Sequence, residues 1–356
     1  VHGQGRRIYI TSNIYPRNSK VSSYLDTMAQ IIAMQPDALI MADPGLIMLV
    51  RDRWPEMPVH LSVQANTLNY AAVEFWRRLG ISRIILSREL SLVEIEEIRQ
   101  RCPEIELEVF VHGAMCISYS GRCLLSGYFS NRDANQGTCA NSCRWNYQLY
   151  LEESERPGEM MPVSEDQHGT YIMNSKDLCA IEHVQRLVGI GVDSLKIEGR
   201  TKSYFYVART VRSYRQALED AAAGRKFDSS LKESLEGLAN RGYTDGFLIG
   251  KTGGEMQNYV TNRSQFGEQR FVGEVIGIDG ELMHIEVKNR FELHDTMRLL
   301  LPDGEVLFSL DVLLDDTMQP LDVAAGSGRR VWCNIPDGVN PEWGLLIVDH
   351  TQRKGL

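Results

Sequence analysis

Short apolar runs alternate with amphipathic stretches over about the first 200 residues of the chain. The apolar runs are rich in β-branched residues, as buried strands are, and the amphipathic stretches place apolar residues at helical spacing. The predicted strands are Ile8–Ile14, Ala38–Ala42, Val59–Val63, Arg83–Leu86, Leu107–Val111 and Ser194–Ile197. The predicted helices between them include Ser22–Met34, Asn69–Leu79 and Ser91–Arg101. This alternation predicts a parallel sheet that is covered by helices or closed into a barrel.

Local signals mark the starts of two of the helices. Pro44 lies near the start of the helix after the second strand, where its missing N–H group costs nothing. Ser91 is followed three residues later by Glu94, which is a capping-box pattern. Both signals support the helical assignment of the segments between the strands.

The alternation breaks farther along the chain. A cysteine-rich turn region and a polar stretch predict an insertion at about residues 131–169. Further helices are predicted over Tyr204–Ala223 and Asp228–Ala239. From Gln265 onward, short alternating runs are separated by turn signals, among them Asp279-Gly280 in a hairpin pattern.

These patterns predict two domains. Residues 1–250 are expected to form an α/β domain similar to a TIM-like parallel (β/α) barrel, with the insertion at about 131–169. Residues 265–356 are expected to form a small C-terminal all-β barrel domain.

A polar residue follows nearly every predicted strand of the first domain. These residues are Asn13, Asp43, Gln64, Asn66, Arg88, Glu89, His112, Glu198 and Arg200. In parallel α/β folds, binding and catalytic sites are built at the carboxyl ends of the strands. We therefore predict a ligand-binding rim, with His112 and Glu198 as candidate catalytic residues. His112 is suited to carry a proton or to orient a substrate, and a purely structural histidine is the alternative.

Composition and charge limit the class of protein. Apolar residues make up 43% of the chain and charged residues 24%, which excludes disorder, collagen and coiled coil as descriptions of the whole chain. The net charge of −9 argues against general coating of nucleic acid by a basic surface but permits a local basic groove. Because no apolar run approaches the roughly 18–20 residues of a membrane span, we expect a soluble cytoplasmic protein with no membrane partner.

Four of the seven cysteines lie within 28 residues, at Cys116, Cys123, Cys139 and Cys143. Clustered thiolates are soft ligands that select zinc, copper(I) or iron–sulfur clusters. Six residues separate the first pair, which is too wide for a zinc knuckle but suits the larger volume of an iron–sulfur cluster. The spacing therefore favours an iron–sulfur cluster over zinc, with buried packing residues or a disulfide as the alternatives.

Cys179 is a fifth candidate ligand, and a cluster with four thiolates leaves one candidate over. Cys143 is favoured as the fourth ligand because its closeness to Cys139 lowers the cost of closing the loop. Cys179 stays the alternative. Cys102 and Cys333 are scattered in the sequence and are expected to be packing residues.

Six segments of the chain carry a further recognisable pattern. They are EVFVHGAMCISYSGRCLLSGYFSNRDANQGTCANSCRW, LIMADPGLIMLV, HLSVQAN, ILSRELSL, NSKDLC and SLKIEGRTKS. Together they resemble the signature of peptidase family U32, and the resemblance covers about residues 6–350. It implies a barrel-like α/β domain with a 4Fe–4S cluster. In the members that the region 265–350 resembles, it implies oxygen-independent 5-hydroxylation of the wobble uridine of tRNA in a pathway that needs prephenate.

The resemblance also bears on the ligands and on the barrel. The cluster cysteines of the family correspond to Cys116, Cys123 and Cys139, and its fourth ligand corresponds to Cys143 or to Cys179. Related proteins begin with two further strand–helix units before the segment that matches IYITSNIYP. We therefore expect the barrel of this chain to lack its first two units.

The implied substrates suggest binding residues. Prephenate carries two carboxylates, so guanidinium and ammonium groups are expected in its site. The candidate substrate-binding residues are Asn13, Gln64, Arg88, Glu89, Lys196, Arg200 and Lys202. Salt bridges within the rim are the alternative role for the charged members of this set.

Two sets of residues are candidates for contacts with the tRNA anticodon region. Arg209, Arg212 and Arg215 recur every three residues along a predicted helix and are candidate phosphate contacts, with a solvated helix face as the alternative. Tyr119, Tyr128 and Trp145 lie near the cysteines and are candidates for stacking on a base, with shielding of the cluster as the alternative.

The candidate residues and the family resemblance together suggest three functions. The first is an iron–sulfur tRNA hydroxylase that acts on the wobble uridine, with prephenate as co-substrate or oxygen donor and an unidentified electron donor. The second is a cysteine peptidase, for which His112 and Cys116 are a conceivable base and nucleophile, although the sequence has no Ser-His-Asp or HExxH pattern. The third is a noncatalytic cluster carrier or tRNA-binding scaffold that acts with a protein partner.

Overall fold

The computed structural model describes twelve stretches of the chain. They are residues 1–115, 118–119, 123–144, 150–151, 157–158, 161–162, 176–200, 202–238, 240, 242–250, 269–326 and 328–349. The chain divides into two compact units. The first comprises Val1–Glu198, Ala221–Arg225 and Arg241–Arg263, and the second comprises Gly199–Asp220, Lys226–Asn240 and Ser264–Leu356.

A mostly parallel sheet forms the framework of the first unit. Its strands and the small hairpin β6–β7 are, in chain order, β1 Tyr9–Ser12, β2 Ala38–Met41, β3 Val59–Leu61, β4 Arg83–Ile85, β5 Glu106–Ala114, β6 Tyr150–Leu151, β7 Met161–Pro162, β8 Asp177–Cys179, β9 Ser194–Ile197 and β10 Tyr243–Thr244. Strands β1 to β5 pair in sequence order and in parallel, and β9 is also parallel to β5. Strand β8 is antiparallel to the end of β5 and parallel to β10.

Six helices accompany these strands in the described part of the first unit. They are α1 Val21–Ala33, α2 Pro44–Arg53, α3 Tyr70–Arg78, α4 Leu92–Arg101, α5 Leu125–Ser130 and α6 Val184–Ile190. The predicted capping box of α4 is confirmed, because the Ser91 side chain accepts a hydrogen bond from Glu94 N while the Glu94 side chain accepts one from Ser91 N. Pro44 is the first residue of α2, which Asp43 caps by accepting from Leu46 N.

The central strands are buried along their whole length. Every residue of β2, β3 and β4 is buried, and Leu39, Leu61 and Ile84 have no exposed surface. Parallel strands with helices on their faces have this near-continuous apolar character, so the predicted parallel α/β sheet is confirmed. Within the described residues β1 pairs only with β2 and β10 only with β8, so closure into a barrel and the absence of two units stay predictions.

The second unit contains a C-terminal antiparallel β domain together with two helices. The helices are α7 Tyr204–Ala222, most of which lies in this unit, and α8 Ser230–Glu236. The strands are β11 Gln269–Asp279, β12 Leu282–Val287, β13 Phe291–Glu292, β14 Thr296–Leu300, β15 Glu305–Ser309, β16 Leu313–Asp315, β17 Val323–Ala324, β18 Arg330–Asn334 and β19 Leu345–Asp349. Seven of them form a sheet in the order β15-β14-β19-β11-β12-β18-β16.

The alternating apolar and polar residues of this domain form a hairpin and strands with one buried face. Strands β11 and β12 form the hairpin predicted at Asp279-Gly280, and Gly280 has a φ of +57° in the turn. On β12, Met283, Ile285 and Val287 are fully buried while the residues between them are half-buried. The predicted C-terminal β domain is therefore confirmed.

The helices α7 and α8 depart from the domain boundaries expected from the sequence. They fall within the predicted N-terminal domain in the sequence, but they group with the C-terminal strands in the structure. Phe205 of α7 stacks on Phe271 of β11 with ring centroids 5.3 Å apart, and Arg209 of α7 pairs with Glu305 of β15. These long-range contacts, rather than position in the sequence, assign the helices to the second unit.

None of the helices in the described part of the chain has the length and hydropathy that crossing a bilayer requires.

Candidate active site

Polar groups from the carboxyl ends of β1 and β3 contact one another. Asn13 Nδ2 donates a hydrogen bond to Ser62 Oγ at 3.2 Å, and Ser62 Oγ also accepts from Gln64 N at 3.3 Å. The hydroxyl of Tyr15 donates to Gln64 O at 2.8 Å. The structure therefore brings the predicted rim residues Asn13 and Gln64 to one edge of the sheet, while their role in substrate binding stays a prediction.

The segment 123–144, which we call the cysteine loop, is attached to the same edge. Tyr15 N donates to Asn135 O at 3.3 Å, and the side chain of Gln136 donates to Tyr15 O. Tyr15 thus connects the end of β1, the end of β3 and the cysteine loop through its backbone and its hydroxyl. Three of the predicted cluster cysteines consequently lie in a loop that is attached to the predicted rim.

The cysteine loop presents Cys123, Cys139 and Cys143 as half-buried side chains. Asn141 N donates a hydrogen bond to Cys139 Sγ at 3.4 Å, and Asn141 has a φ of +56°. An amide N–H directed at a cysteine sulfur stabilises a thiolate ligand and tunes the potential of a cluster. Cys116, the first of the predicted ligands, lies outside the described residues.

The described cysteines do not by themselves form a metal site. Within the described ranges, no group of three or more His, Cys, Asp or Glu residues is arranged to hold a metal ion. Cys123 and Cys139 are not disulfide-bonded in the structure. The iron–sulfur assignment stays a prediction.

The two candidates for the fourth ligand have different surroundings. Cys143 is half-buried in a short 3-10 turn of the cysteine loop, Ser142–Arg144. Cys179 is 4% exposed in β8, where the antiparallel register places it directly opposite His112. Residues that are directly opposite in an antiparallel pair project from the same face, so Cys179 and His112 are neighbours. Both candidates stay open.

The two remaining cysteines are packing residues, as expected. Cys102 is 4% exposed, and its Sγ donates to Tyr70 O at 3.5 Å. Cys333 has no exposed surface. Burial raises the pKa of both thiols, which disfavours the thiolate form that binds metals.

The candidate catalytic residues His112 and Glu198 are adjacent through their backbones. Glu198 N donates to His112 O at 2.9 Å. His112 is 1% exposed, and its ring centroid lies 5.3 Å from that of Tyr243 in β10. The structure therefore brings the two residues together, although their catalytic roles stay predictions.

A β-bulge determines where His112 lies. The register between β5 and β9 shifts after Phe110, so that Phe110 is opposite Lys196 whereas His112 is opposite Ile197. Val111 is therefore the extra residue in β5. Bulges redirect side chains and are over-represented next to active sites, and no signal in the sequence marks this one.

Two predicted substrate-binding cations lie near the ring of Phe110. Arg88 Nη1 donates to Ala114 O at 2.6 Å, and its guanidinium carbon lies 3.8 Å from the ring centroid. Lys196 Nζ lies 5.5 Å from the same centroid, but it is paired with Glu108 Oε1 at 2.7 Å. Lys196 is thus paired with a buried carboxylate, and its role in substrate binding stays a prediction.

Lys196 belongs to a charged network that the sequence analysis missed. Arg83 Nη1 lies 3.1 Å from Glu108 Oε2, and Arg83 Nη2 lies 2.9 Å from Glu106 Oε2. Burial raises the pKa of Glu108, but the ammonium of Lys196 and the guanidinium of Arg83 outweigh burial, so its pKa lies below the usual value. The available signal was Arg83 in the short apolar strand β4 and the two carboxylates, Glu106 and Glu108, in β5.

His60 lies beside this network in a neutral form. It is 5% exposed on β3, and its ring centroid lies 4.7 Å from that of Tyr9. Burial, followed by the positive charge of Arg83, lowers the pKa of His60 to about 4. The interior of the sheet therefore combines ionised side chains with an uncharged imidazole.

The other predicted substrate-binding residues are placed as follows. Glu89 is half-buried directly after Arg88. Arg200 is exposed, and Lys202 Nζ lies 4.7 Å from the ring centroid of Tyr206. Arg200 and Lys202 belong to the second compact unit, whereas the other candidate substrate-binding residues belong to the first. Their roles in substrate binding stay predictions.

The expected row of exposed arginines on α7 is not formed. Arg209 is 2% exposed and paired with Glu305, and Arg212 is half-buried and donates to Gly304 O. Only Arg215 is exposed, in a pair with Glu219. Three residues advance a helix by roughly 300°, so each step rotates the side chain by about 60° and the third position leaves the buried side. Arg209 therefore does not share an exposed phosphate-contact face with Arg215, and the prediction of such a face is wrong for this residue.

Aromatic side chains near the cysteines are accessible. Tyr128 is 83% exposed and Tyr119 is 57% exposed. Tyr128 is on α5 next to Phe129, with the rings at an edge-to-face distance of 5.3 Å. Trp145, the third predicted stacking residue, lies outside the described residues. Stacking on a base and shielding of a cluster both stay open for these residues.

Comparisons with known proteins agree with the sequence resemblance. Residues 1–258 match Peptidase family U32, and residues 267–347 match the Peptidase family U32 C-terminal domain. The chain is 48% identical to tRNA hydroxylation protein P of Escherichia coli (strain K12) over 97% of this chain and 85% of that protein. It is 46% identical to tRNA hydroxylation protein P of Haemophilus influenzae over 97% of this chain and 84% of that protein.

A solved U32 peptidase structure is 17% identical, covers 56% of this chain and 72% of its own, and has a TM-score of 0.33. The sequence matches to the family extend over the parallel α/β region with its cysteine loop and over the C-terminal strands. On this evidence the chain belongs to peptidase family U32.

Proposed function

We propose that this protein is a tRNA hydroxylase that converts the wobble uridine to 5-hydroxyuridine. The observation that carries the proposal is the 48% identity to a tRNA hydroxylation protein over 97% of the chain. The attachment of the cysteine loop to the polar edge of the sheet supports it, because a cofactor in that loop would be next to the candidate rim residues.

The proposed cofactor is a 4Fe–4S cluster. Cys116, Cys123 and Cys139 would hold it, with Cys143 or Cys179 as the fourth ligand. The clustered thiols and the amide hydrogen bond to Cys139 Sγ support this choice, since both are features of iron–sulfur ligation. When bound, such a cluster supplies electron transfer.

The proposed co-substrate is prephenate, a dicarboxylate, in an oxygen-independent reaction. Arg88 is the cation best placed for one carboxylate, because the carbonyl of Ala114 and the ring of Phe110 orient its guanidinium at the end of the sheet. Lys196 would not contact the substrate directly. It would neutralise the charge of Glu108, with which it is paired.

Proton transfer is proposed to involve His112 and Glu198. A buried imidazole next to a glutamate backbone can hold a proton away from bulk water, and the carboxylate of Glu198 is half-buried at the strand exit. His112 lies on β5, two residues before its end, and Glu198 directly follows β9. Their positions suit action on a substrate at this edge.

The tRNA is proposed to contact the first unit. Residues 264–356 contain 16 Asp or Glu and 8 Lys or Arg, so the C-terminal β domain is poorly suited to bind phosphates. The cysteine loop instead exposes Tyr128 together with Arg132, and Arg17 and Lys20 are exposed after β1. Aromatic and basic side chains in combination are typical of single-stranded RNA sites.

The test of this proposal uses protein purified without oxygen. We expect iron and acid-labile sulfide to co-purify with the wild type, and we expect expression in bacteria without a tRNA hydroxylation protein to produce 5-hydroxyuridine, measured by mass spectrometry of digested tRNA. Cys123→Ser and Cys139→Ser should lose both signals, whereas Cys333→Ser, which alters a packing cysteine, should keep them. Changing Cys143 and Cys179 in turn identifies the fourth ligand.

Other results would favour the alternatives. Protein without iron, or tRNA without 5-hydroxyuridine, would contradict the proposed activity. Hydroxylation that requires a second protein in a purified system would favour the scaffold function. Proteolysis that depends on Cys116 and His112 would favour a peptidase.

A further inference from the structure

Three polar side chains in the loops after β3 and β4 have buried atoms without a hydrogen-bond partner in the described structure. The atoms are Gln64 Oε1, Thr67 Oγ1 and Ser87 Oγ. Thr67 is 1% exposed and Ser87 is 3% exposed, so bulk water does not satisfy these hydroxyls. Most buried polar groups in proteins are hydrogen-bonded, and a concentration of exceptions needs an explanation.

The three residues lie in two neighbouring loops. Ser87 N donates to Thr67 O at 3.3 Å, which ties the loop after β4 to the loop after β3. Gln64 lies three residues before Thr67, and its backbone is held by Ser62 Oγ and by the hydroxyl of Tyr15. The backbones are thus bonded to protein while the side-chain atoms are left for another partner.

The chemistry of the three groups indicates the kind of partner. They are uncharged, and together they offer an amide oxygen as acceptor and two hydroxyls that donate or accept. The nearest basic residue in the sequence, Arg88, directs its guanidinium to Ala114 O and the Phe110 ring. Such a set suits an uncharged planar edge that alternates acceptors with a donor.

We propose that Gln64, Thr67 and Ser87 bind the imide edge of the substrate uracil base. The amide oxygen of Gln64 would accept from N3–H, and the two hydroxyls would donate to the flanking carbonyl oxygens. This inference rests on the proposed uridine hydroxylation and identifies the residues that recognise the base. Thr67 and Ser87 were not among the candidates from the sequence.

The test combines stability with RNA binding, because the inference makes opposite predictions for the two. Thr67→Val and Ser87→Ala remove hydroxyls that have no hydrogen-bond partner within the described ranges, so each should raise the melting temperature of the free protein. The same variants should bind a stem-loop RNA with uridine at the wobble position about threefold to tenfold more weakly. A stem-loop with cytidine at that position should change less.

Thr210→Val is the matched control. Thr210 lies on α7 in the other compact unit, has no exposed surface, and its Oγ1 also lacks a hydrogen-bond partner in the described structure. Its replacement should raise the melting temperature in the same way and leave RNA binding unchanged.

Each other result overturns the inference. Unchanged binding of the uridine stem-loop by both variants would show that the hydroxyls do not contact the base, and equal loss for uridine and cytidine loops would remove the base specificity. Lower melting temperatures would show that the hydroxyls have protein partners. Weaker binding of prephenate with unchanged RNA binding would assign the groups to the small co-substrate. Wild-type protein that binds neither RNA would contradict the proposed function as well, which separates the two failures.

Discussion

Gly113 lies directly against the backbone of Glu198. A Cβ atom on Gly113 would be 2.4 Å from Glu198 O, and Gly113 has a φ of +108°, where L-residues are strained. Glu198 N is at the same time hydrogen-bonded to His112 O. The absence of a side chain at Gly113 therefore permits the close contact that holds the two candidate catalytic residues together.

We predict that Gly113→Ala destabilises the protein by about 3 kcal/mol or more, because strain at positive φ and a backbone clash add. Urea denaturation measures the loss. Gly189→Ala is the control, since a Cβ on Gly189 in α6 meets nothing within 4 Å and alanine favours the helix. A Gly113→Ala protein as stable as the wild type would show that the contact is not present in solution.

The pair of Glu108 with Lys196 and Arg83 gives a second prediction. Glu108→Gln should cost about 3 kcal/mol of unfolding free energy, since it leaves two positive charges without their buried carboxylate. Glu97→Gln, which breaks an exposed pair with Arg101, should cost less than about 0.5 kcal/mol. Similar values for the two variants would mean that the network is solvated.

The pH dependence of stability should report on His60. Because the folded-state pKa is lowered to about 4, the unfolded chain binds a proton that the folded chain does not between about pH 6.5 and pH 4. The contribution of His60 to the free energy of unfolding is therefore fully present above pH 6.5. It is lost as the pH falls, by up to about 3 kcal/mol. Denaturant titrations of wild type and His60→Gln over this range measure it, and parallel curves would refute the assignment.

Tyr128 provides a prediction for the proposed RNA contact. Tyr128→Ala should weaken binding of an anticodon stem-loop about tenfold, since stacking of one base contributes about 1–3 kcal/mol. Protein stability should change little, because the side chain is 83% exposed. Phe75→Ala on α3, where the ring is 56% exposed, is the control that should leave binding unchanged. If Phe75→Ala weakened RNA binding as much as Tyr128→Ala, the loss would not indicate a contact between Tyr128 and the RNA.

Several features could be predicted from local patterns because their causes are local. Apolar runs such as Ala38–Met41 form buried parallel strands, Ser91 and Glu94 form the capping box, and Asp279-Gly280 forms the hairpin turn. Each depends on residues a few positions apart. The cysteine cluster in the sequence and the match to the family likewise follow from order along the chain.

Other features depend on partners far away in the sequence. Lys196 and Arg209 are both basic residues in suitable patterns, yet each is paired with a distant carboxylate. The partners are Glu108 and Glu305, which are 88 and 96 residues away in the sequence. The bulge at Val111 has no local signal, because it follows from the pairing of β5 with β9.

The sequence alone therefore determined the strand and helix types, the polar strand ends and the grouping of thiols, since backbone preference and side-chain chemistry act over short spans. Only the tertiary structure decided which charged groups are paired internally, and that the buried hydroxyls of Thr67 and Ser87 have no hydrogen-bond partner among the described residues. Pairing and burial depend on distances between remote segments, which the order of residues does not state.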